Sequence, residues 1–166
     1  IAILLCSCIL LMLDLNNRKG NPAKDYKKIA IFKMASRVAL DESEKGVIEA
    51  LEEKGFIDNK TCVIKRFSAE GDMATANMIA NNIENGKFDM VITISTPATQ
   101  VMANDNKKGK LTQVFCTVTD PIASGLGITG PKPDQHPKHL VGIGTFQPVE
   151  LAFDIAKKMK PDLKKV

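Results

Sequence analysis

The sequence predicts a three-layer α/β fold, in which a parallel sheet of five strands carries helices on both faces. Short apolar segments alternate with amphipathic ones from residue 28 onward, as in strands joined by crossover helices. The third segment, residues 87–95, contains a continuous apolar run, which suits a strand covered on both faces. Assuming right-handed crossovers, we expect the strand order 2-1-3-4-5. A chain of 166 residues can bury one ordinary hydrophobic core.

The first unit of this pattern is a strand, a helix and a second strand. "KIAIFKM" (residues 28–34) is a short apolar segment typical of a strand. Residues 39–55 place apolar side chains on one helical face and end at Gly55, a stop signal. "TCVIKRF" (residues 61–67) follows as the second strand.

The second unit centres on the continuous apolar strand. Residues 71–86 carry apolar side chains at helical spacing, with Asp72 as the expected cap. After the strand at 87–95, residues 97–110 form a shorter predicted helix with Pro97 at its first position, where a missing N–H costs nothing.

The last unit contains a long insertion. "TQVFCTVT" (112–119) is the fourth predicted strand, and a Gly/Pro-rich segment, 120–139, separates it from the fifth at 139–144. A final helix at 148–160 has an acidic first turn and lysines in its last turn, which complements the helix dipole.

The amino-terminal segment predicts export. Its apolar run of 13 residues is too short to span a bilayer comfortably and fits the core of a signal peptide. We expect residues 1–15 to be a signal peptide or membrane anchor and residues 16–27 a polar tether; the alternative is a buried first strand or helix. Residues 5–8 loosely resemble a lipoprotein cleavage box, which makes Cys8 a candidate for lipidation, although apolar residues follow it.

Composition argues against several functions. The chain is 44% hydrophobic and 25% charged with a net charge of +4, which is globular, and it lacks tryptophan and basic stripes with interleaved aromatics, which disfavours nucleic-acid binding. The cysteines and histidines after the leader do not have zinc-site spacing, so no metal or cofactor is expected. No nucleophile–base pair is recognisable, and we do not expect an enzyme.

The segment "STPAT" after the third strand is the strongest candidate for a binding site. In open parallel sheets the ligand lies beyond the carboxyl ends of the strands. The first-turn N–H groups of a helix and the hydroxyls of Ser95, Thr96 and Thr99 suit a carboxylate or another small anion. The alternative is that Ser95 or Thr96 only caps the helix.

Two features follow the fourth strand. Asp120 precedes a proline, so its side chain projects from the strand end at the same edge as "STPAT", although a lone Asp-Pro is usually only a turn. "GLGITG" (Gly125–Gly130) matches a dinucleotide fingerprint and gives the alternative hypothesis of a nucleotide-binding α/β enzyme. That motif requires a strand leading directly into a helix, and the prolines after Gly130 argue against it.

Four segments, in order and at characteristic spacing, resemble one bacterial family. They are "VALDESEKGVIEALEEKGF", "SAEGDMATANMIANNI", "FDMVITISTPATQVMAN" and "VFCTVTDPIASGLG". The family is the ABC-transporter substrate-binding proteins of the type I periplasmic-binding fold, in the branch linked to aromatic and branched-chain amino acids. The resemblance covers about residues 28–166. The chain departs from the family pattern at Ala35–Val38, where a His-Pro is common.

The resemblance implies a clamshell of two α/β lobes that closes on one ligand. Residues 28–145 would form the first lobe, and residues 146–166 a crossing helix toward a second lobe. The implied protein is a monomeric receptor, periplasmic or membrane-anchored on the extracytoplasmic side, that needs no cofactor and delivers an amino acid to an ABC permease. The implied contacts to the ligand are Ser95, Thr96, Ala98 and Thr99 at its carboxylate and Thr119 and Asp120 nearer its amino group.

Overall fold

The computed structural model describes residues 26–130, 132, 134–145 and 148–162. The strands are β1 (Lys27–Lys33), β2 (Cys62–Ser68), β3 (Met90–Ile94), β4 (Thr112–Val118) and β5 (Leu140–Gly144). The helices are α1 (Val38–Glu53), α2 (Met73–Asn85), α3 (Thr96–Asp105) and α4 (Val149–Met159). The predicted leader, including Cys8, and nearly all of the predicted tether lie outside the described residues.

The sheet confirms the predicted topology. Its five strands have the order β2-β1-β3-β4-β5, and every neighbouring pair is parallel. Lys33 pairs with Ser68 and with Ile94, and Ile94 pairs with Cys116. All the carboxyl ends therefore meet at one edge of the sheet, which we call the carboxyl edge.

Helices cover both faces of the sheet, as predicted. On one face, Ala30, Phe32 and Val91 belong to a buried cluster that includes the apolar sides of α2 and α3. On the other face, the cluster around Ile31 and Ile92 packs against α1 through Leu40, Val47, Ile48 and Leu51. Because β1 and β3 are buried from both sides, their apolar residues need not alternate with polar ones.

Two element boundaries differ from the sequence prediction by more than two residues. β3 begins at Met90 instead of residue 87, because Lys87 adopts a left-handed φ of 55° and Asp89 turns its carboxylate to the Lys28 N–H at 2.8 Å. α3 ends at Asp105 instead of residue 110, because the Asn106 side chain bonds both the N–H and the carbonyl of Leu111. Both turns use side-chain hydrogen bonds that local periodicity does not reveal.

The last two elements are the least enclosed. β5 is an edge strand, and Gly142 lies so close to Phe115 of β4 that a Cβ atom would come within 2.1 Å of its carbonyl oxygen. α4 has no buried residue, and Phe153 and Ile155 are among its exposed apolar side chains. In the described part of the chain, none of the helices combines the length and the apolar character that a membrane span requires.

The cap of α2 gives a first testable prediction. Asp72 accepts a 2.6 Å hydrogen bond from the Thr75 N–H, as expected for an N-cap. The Thr75 side chain and, after it, this N–H hold the pKa of the Asp72 carboxyl below the ordinary value. Substitution D72A should lower the free energy of unfolding in urea denaturation, because the Thr75 N–H then loses its acceptor. D72N is the matched control, since asparagine caps as well as aspartate does. Equal stabilities of D72A and D72N would contradict the capping role.

Candidate functional site

The start of α3 carries hydroxyls that do not cap it. Ser95 is the N-cap residue, yet its side chain makes no capping hydrogen bond, and its buried Oγ has no partner within the described residues. Thr96 is half-buried, and its hydroxyl also makes no hydrogen bond in that part of the chain. In this conformation neither hydroxyl makes a capping bond of the kind that Asp72 makes in α2.

Ser95 also has a strained backbone. Its φ of 92° and ψ of 153° lie in a region that is essentially restricted to glycine. Holding another residue there costs on the order of 1–3 kcal/mol, and such residues cluster at ligand clamps and active sites. The strain therefore indicates that the conformation of this turn is kept at a cost in stability.

The first turn of α3 leaves backbone donors available at the carboxyl edge. Pro97 is the second residue of the helix, one position later than predicted, and has no N–H. Within the described residues no backbone carbonyl accepts from the N–H groups of Thr96 or Ala98, whereas the Thr99 N–H bonds the Ser95 carbonyl at 3.1 Å. The helix dipole adds partial positive charge here, so the turn favours an anion.

The predicted residues of this turn differ in accessibility. Ala98 and Thr99 are fully buried. The Thr99 hydroxyl donates to the Ser95 carbonyl at 2.8 Å and lies 3.0 Å from the Thr93 hydroxyl. The structure thus places the Thr99 side chain beneath the turn, while Thr96 remains partly accessible.

The end of β4 lies next to this turn. The Ser95 N–H donates to the Cys116 carbonyl at 3.2 Å, and Gln100 of α3 donates to the Ser124 carbonyl at 2.8 Å. Thr119 and Asp120 are exposed in the connection between these contacts. The structure therefore brings both predicted segments to the same part of the carboxyl edge.

Asp120 has a local structural role as well. Its Oδ1 accepts from the N–H groups of Ile122 and Ala123 at 3.0 and 2.9 Å, so the carboxylate closes the turn after β4. No hydrogen bond to its Oδ2 occurs within the described residues. The turn explains how the side chain is oriented and leaves one oxygen available for another partner.

Sequence reasoning missed a charge cluster at the end of β1, which we call the β1-end cluster. Lys33 Nζ lies 2.5 Å from both Asp41 Oδ1 and Glu44 Oε2, and Arg66 Nε lies 4.0 Å from Glu44 Oε1. The side chains of Lys33 and Glu44 are only 13% and 11% exposed. Ser36 donates to Asp41 at 3.0 Å. These bonds tie the loop after β1 to the first turns of α1.

A signal for the β1-end cluster exists in the sequence. Lys33 ends an apolar strand, where a lysine is unusual unless its charge is paired. Asp41 and Glu44 are three residues apart and so share one face of α1. A search for acids on the covering helix could have found the pair.

The Gly125–Gly130 segment does not have the geometry of a dinucleotide loop. Gly125 and Gly127 have positive φ of 69° and 73° and lie in turns between β4 and β5. No helix follows Gly130 before β5 in residues 132 and 134–139. A cavity of about 410 Å³ beside β5 is lined by residues of this connection together with Phe115, Asp120 and Leu140.

The two described cysteines are free. Burial raises the pKa of the Cys62 and Cys116 thiols, which keeps them protonated at neutral pH. Across the described ranges, no three His, Cys, Asp or Glu side chains are grouped so that they could hold a metal ion.

The chain matches a known family over most of its length. The family model described as ABC transporter substrate binding protein matches residues 28–166. A tyrosine-binding protein of Clostridioides difficile strain R20291 is 30% identical over 151 residues, which are 91% of this chain and 42% of that protein.

Solved structures show the same arrangement. A conserved domain protein of Vibrio cholerae superposes with a TM-score of 0.77 at 25% identity, over 84% of this chain and 46% of that one. An ABC domain of Streptococcus pneumoniae in complex with L-Trp superposes with a TM-score of 0.74 at 25% identity, over 84% and 45%. The chain spans less than half the length of each of these relatives.

The β1-end cluster predicts a pH dependence of stability. The hydrogen bond from Lys33, helped by Ser36, keeps the pKa of Asp41 below its ordinary value of 3.8. Because the folded pKa is depressed, Asp41 contributes its full stabilisation above pH 3.8 and loses it as the pH falls through the folded pKa. We expect D41N to make the acid-induced loss of unfolding free energy shallower in urea titrations below pH 3.8.

The contribution of Lys33 to stability depends on pH in the opposite direction. Burial alone would lower the pKa of Lys33, but its hydrogen bonds to Asp41 and Glu44 outweigh this and raise it above 10.5. Its contribution is therefore complete below pH 10.5 and is lost as the pH rises through the folded pKa. In a K33M background, D41N should change the acid slope much less than in the wild type, because only the hydrogen bond from Ser36 then lowers the pKa of Asp41. Identical effects of D41N in both backgrounds would show that Lys33 does not shift Asp41.

Proposed function

Because the chain belongs to the family of ABC transporter substrate-binding proteins, we propose that it is the extracytoplasmic receptor of an ABC importer and binds a small carboxylated ligand, an amino acid. The family is one of binding proteins, and no catalytic role is proposed. The observation that carries the proposal is the start of α3, where Ser95 and Thr96 have hydroxyls that do not cap the helix.

The ligand carboxylate would lie at the first turn of α3. The N–H groups of Thr96 and Ala98 and the Thr96 hydroxyl are donors for it, and Ser95 forms the turn that presents them. Charge-assisted hydrogen bonds are each worth about 1.5–3 kcal/mol. In this proposal Thr99 contributes from beneath the turn, through its bonds to Ser95.

The ligand amino group would lie toward the end of β4. Thr119 and Asp120 are exposed there, and the carboxylate of Asp120 retains the Oδ2 acceptor. A carboxylate is a suitable partner for an ammonium group. The donors at α3 and the acceptors after β4 are complementary in charge to the two ends of an amino acid, which supports the proposal.

The ligand class is proposed from the relatives. One relative is named a tyrosine-binding protein, and another was solved with L-Trp. We therefore propose an aromatic amino acid and take L-tyrosine and L-tryptophan as probes. The remaining contacts would come from a second lobe, with residues 146–166 as the crossing segment, and the partner would be an ABC permease that receives the ligand from a monomeric receptor.

Removal of the Thr96 hydroxyl tests the proposed site. Substitution T96V should weaken binding of the better probe by about tenfold in isothermal calorimetry, since one hydrogen bond to a charged group is lost. The melting temperature should change little, because the hydroxyl has no partner within the described residues.

T112V is the matched control. Thr112 is exposed at the amino-terminal end of β4, opposite the carboxyl edge, and its hydroxyl also lacks a hydrogen bond among the described residues. This substitution should leave the affinity unchanged. A T96V protein with wild-type affinity and about 1 kcal/mol less stability would show that the hydroxyl is only a cap.

A further inference from the structure

Three buried polar side chains lie beneath the first turn of α3. Thr93, Thr99 and Gln113 are fully buried on the face of the sheet that α2 and α3 cover, where their neighbours are apolar. Gln113 Nε2 is 3.0 Å from the Thr99 carbonyl oxygen and 3.5 Å from Thr93 Oγ1. Thr93 Oγ1 is 3.0 Å from Thr99 Oγ1. We call these three side chains the Thr99 network.

The donors of the Thr99 network have one consistent direction. A carbonyl oxygen only accepts, so the Thr99 hydroxyl donates to the Ser95 carbonyl at 2.8 Å. The Thr93 hydroxyl then donates to Thr99 Oγ1 at 3.0 Å, which is shorter than its 3.4 Å separation from the Val114 carbonyl, and Thr93 Oγ1 can accept from the Gln113 amide. The chain of donors therefore runs from the sheet to the carbonyl of Ser95.

Hydrogen bonds hold the strained Ser95 residue on both sides. Its N–H donates to the Cys116 carbonyl at 3.2 Å, and its carbonyl accepts from the Thr99 N–H at 3.1 Å and from the Thr99 hydroxyl. A non-glycine residue persists at a φ of 92° only where its surroundings fix it from several directions. The Thr99 hydroxyl is the side-chain part of that restraint.

Filling this part of the core with the Thr99 network costs more desolvation free energy than apolar side chains would. Valine or methionine side chains would occupy the same space without desolvating polar groups, and Gln113 Oε1 remains without a partner within the described residues. Because packing alone does not require these polar groups, their presence indicates that the backbone geometry they fix at Ser95 is needed.

We infer that Thr99, supported by Thr93 and Gln113, is a positioning residue that holds Ser95 in its strained conformation and so presets the N–H groups of Thr96 and Ala98 for the ligand. The positioning role for binding rests on the proposed function. The restraint on Ser95 itself does not, and it can be measured without a ligand.

The first experiment measures the Ser95 backbone in the ligand-free protein. A positive φ brings the amide and α protons of a residue close together, which gives a strong intraresidue NOE. The NOE of Ser95 should be strong in the wild type and in T99S, which keeps the hydroxyl, and should weaken in T99V. T93V provides a milder variant in case T99V does not fold, with an intermediate NOE expected. A strong NOE in both T99V and T93V would overturn the inference.

The second experiment measures affinity for L-tyrosine and L-tryptophan by calorimetry. T99V should weaken binding about tenfold and T99S by no more than about twofold. Glycine adopts the φ of Ser95 without strain, so in an S95G background T99V should cost no more than about a further twofold. An equal loss in both backgrounds would show that Thr99 does not act through Ser95. If the wild-type protein with both lobes binds neither probe, the proposed function fails, and the NOE still decides the restraint.

Discussion

Strand β3 is hydrogen-bonded to β1 on one side and to β4 on the other, and Val91–Ile94 are buried on both faces. Parallel pairing on both sides requires each chain connection to cross over the sheet, and those crossovers supply the covering helices. Because all the strands are parallel, the carboxyl end of every strand lies at the carboxyl edge. The position of the candidate site is thus a consequence of how β3 is paired, and the side chains at the edge only determine what the site can bind.

The carboxyl edge is stabilised in two chemically different ways. The β1-end cluster uses charges, and its two cations, Lys33 and Arg66, are balanced by Asp41 and Glu44. The Thr99 network uses neutral donors only. Both cations of the β1-end cluster therefore have acidic partners, whereas the helix terminus adds positive potential at the start of α3.

The sequence was sufficient for features that depend on neighbouring residues. Apolar periodicity predicted the strands, the helices and their order, and Asp72 could be identified as a cap because the capped N–H lies three residues away. The features that sequence reasoning missed depend on how separate elements of the fold meet. Ser95 is restrained by Thr99 and Cys116, and Lys33 is paired across a connection to α1. A positive φ is usually signalled in a sequence by glycine. Because a serine occupies this position, the sequence carries no such signal.

The register of β3 and β4 has a consequence for changing the specificity of such a site. Ile94 pairs with Cys116, and neighbouring strands in any sheet lie about 4.8 Å apart. The paired backbone therefore fixes the spacing between the strand ends from which the segments at Ser95 and Thr119 depart. Substitutions on either segment change its chemistry but leave that spacing intact. A longer or shorter zwitterion would have to be accommodated by insertions or deletions in the turn that Asp120 closes, so loop length is the variable that an engineer should adjust.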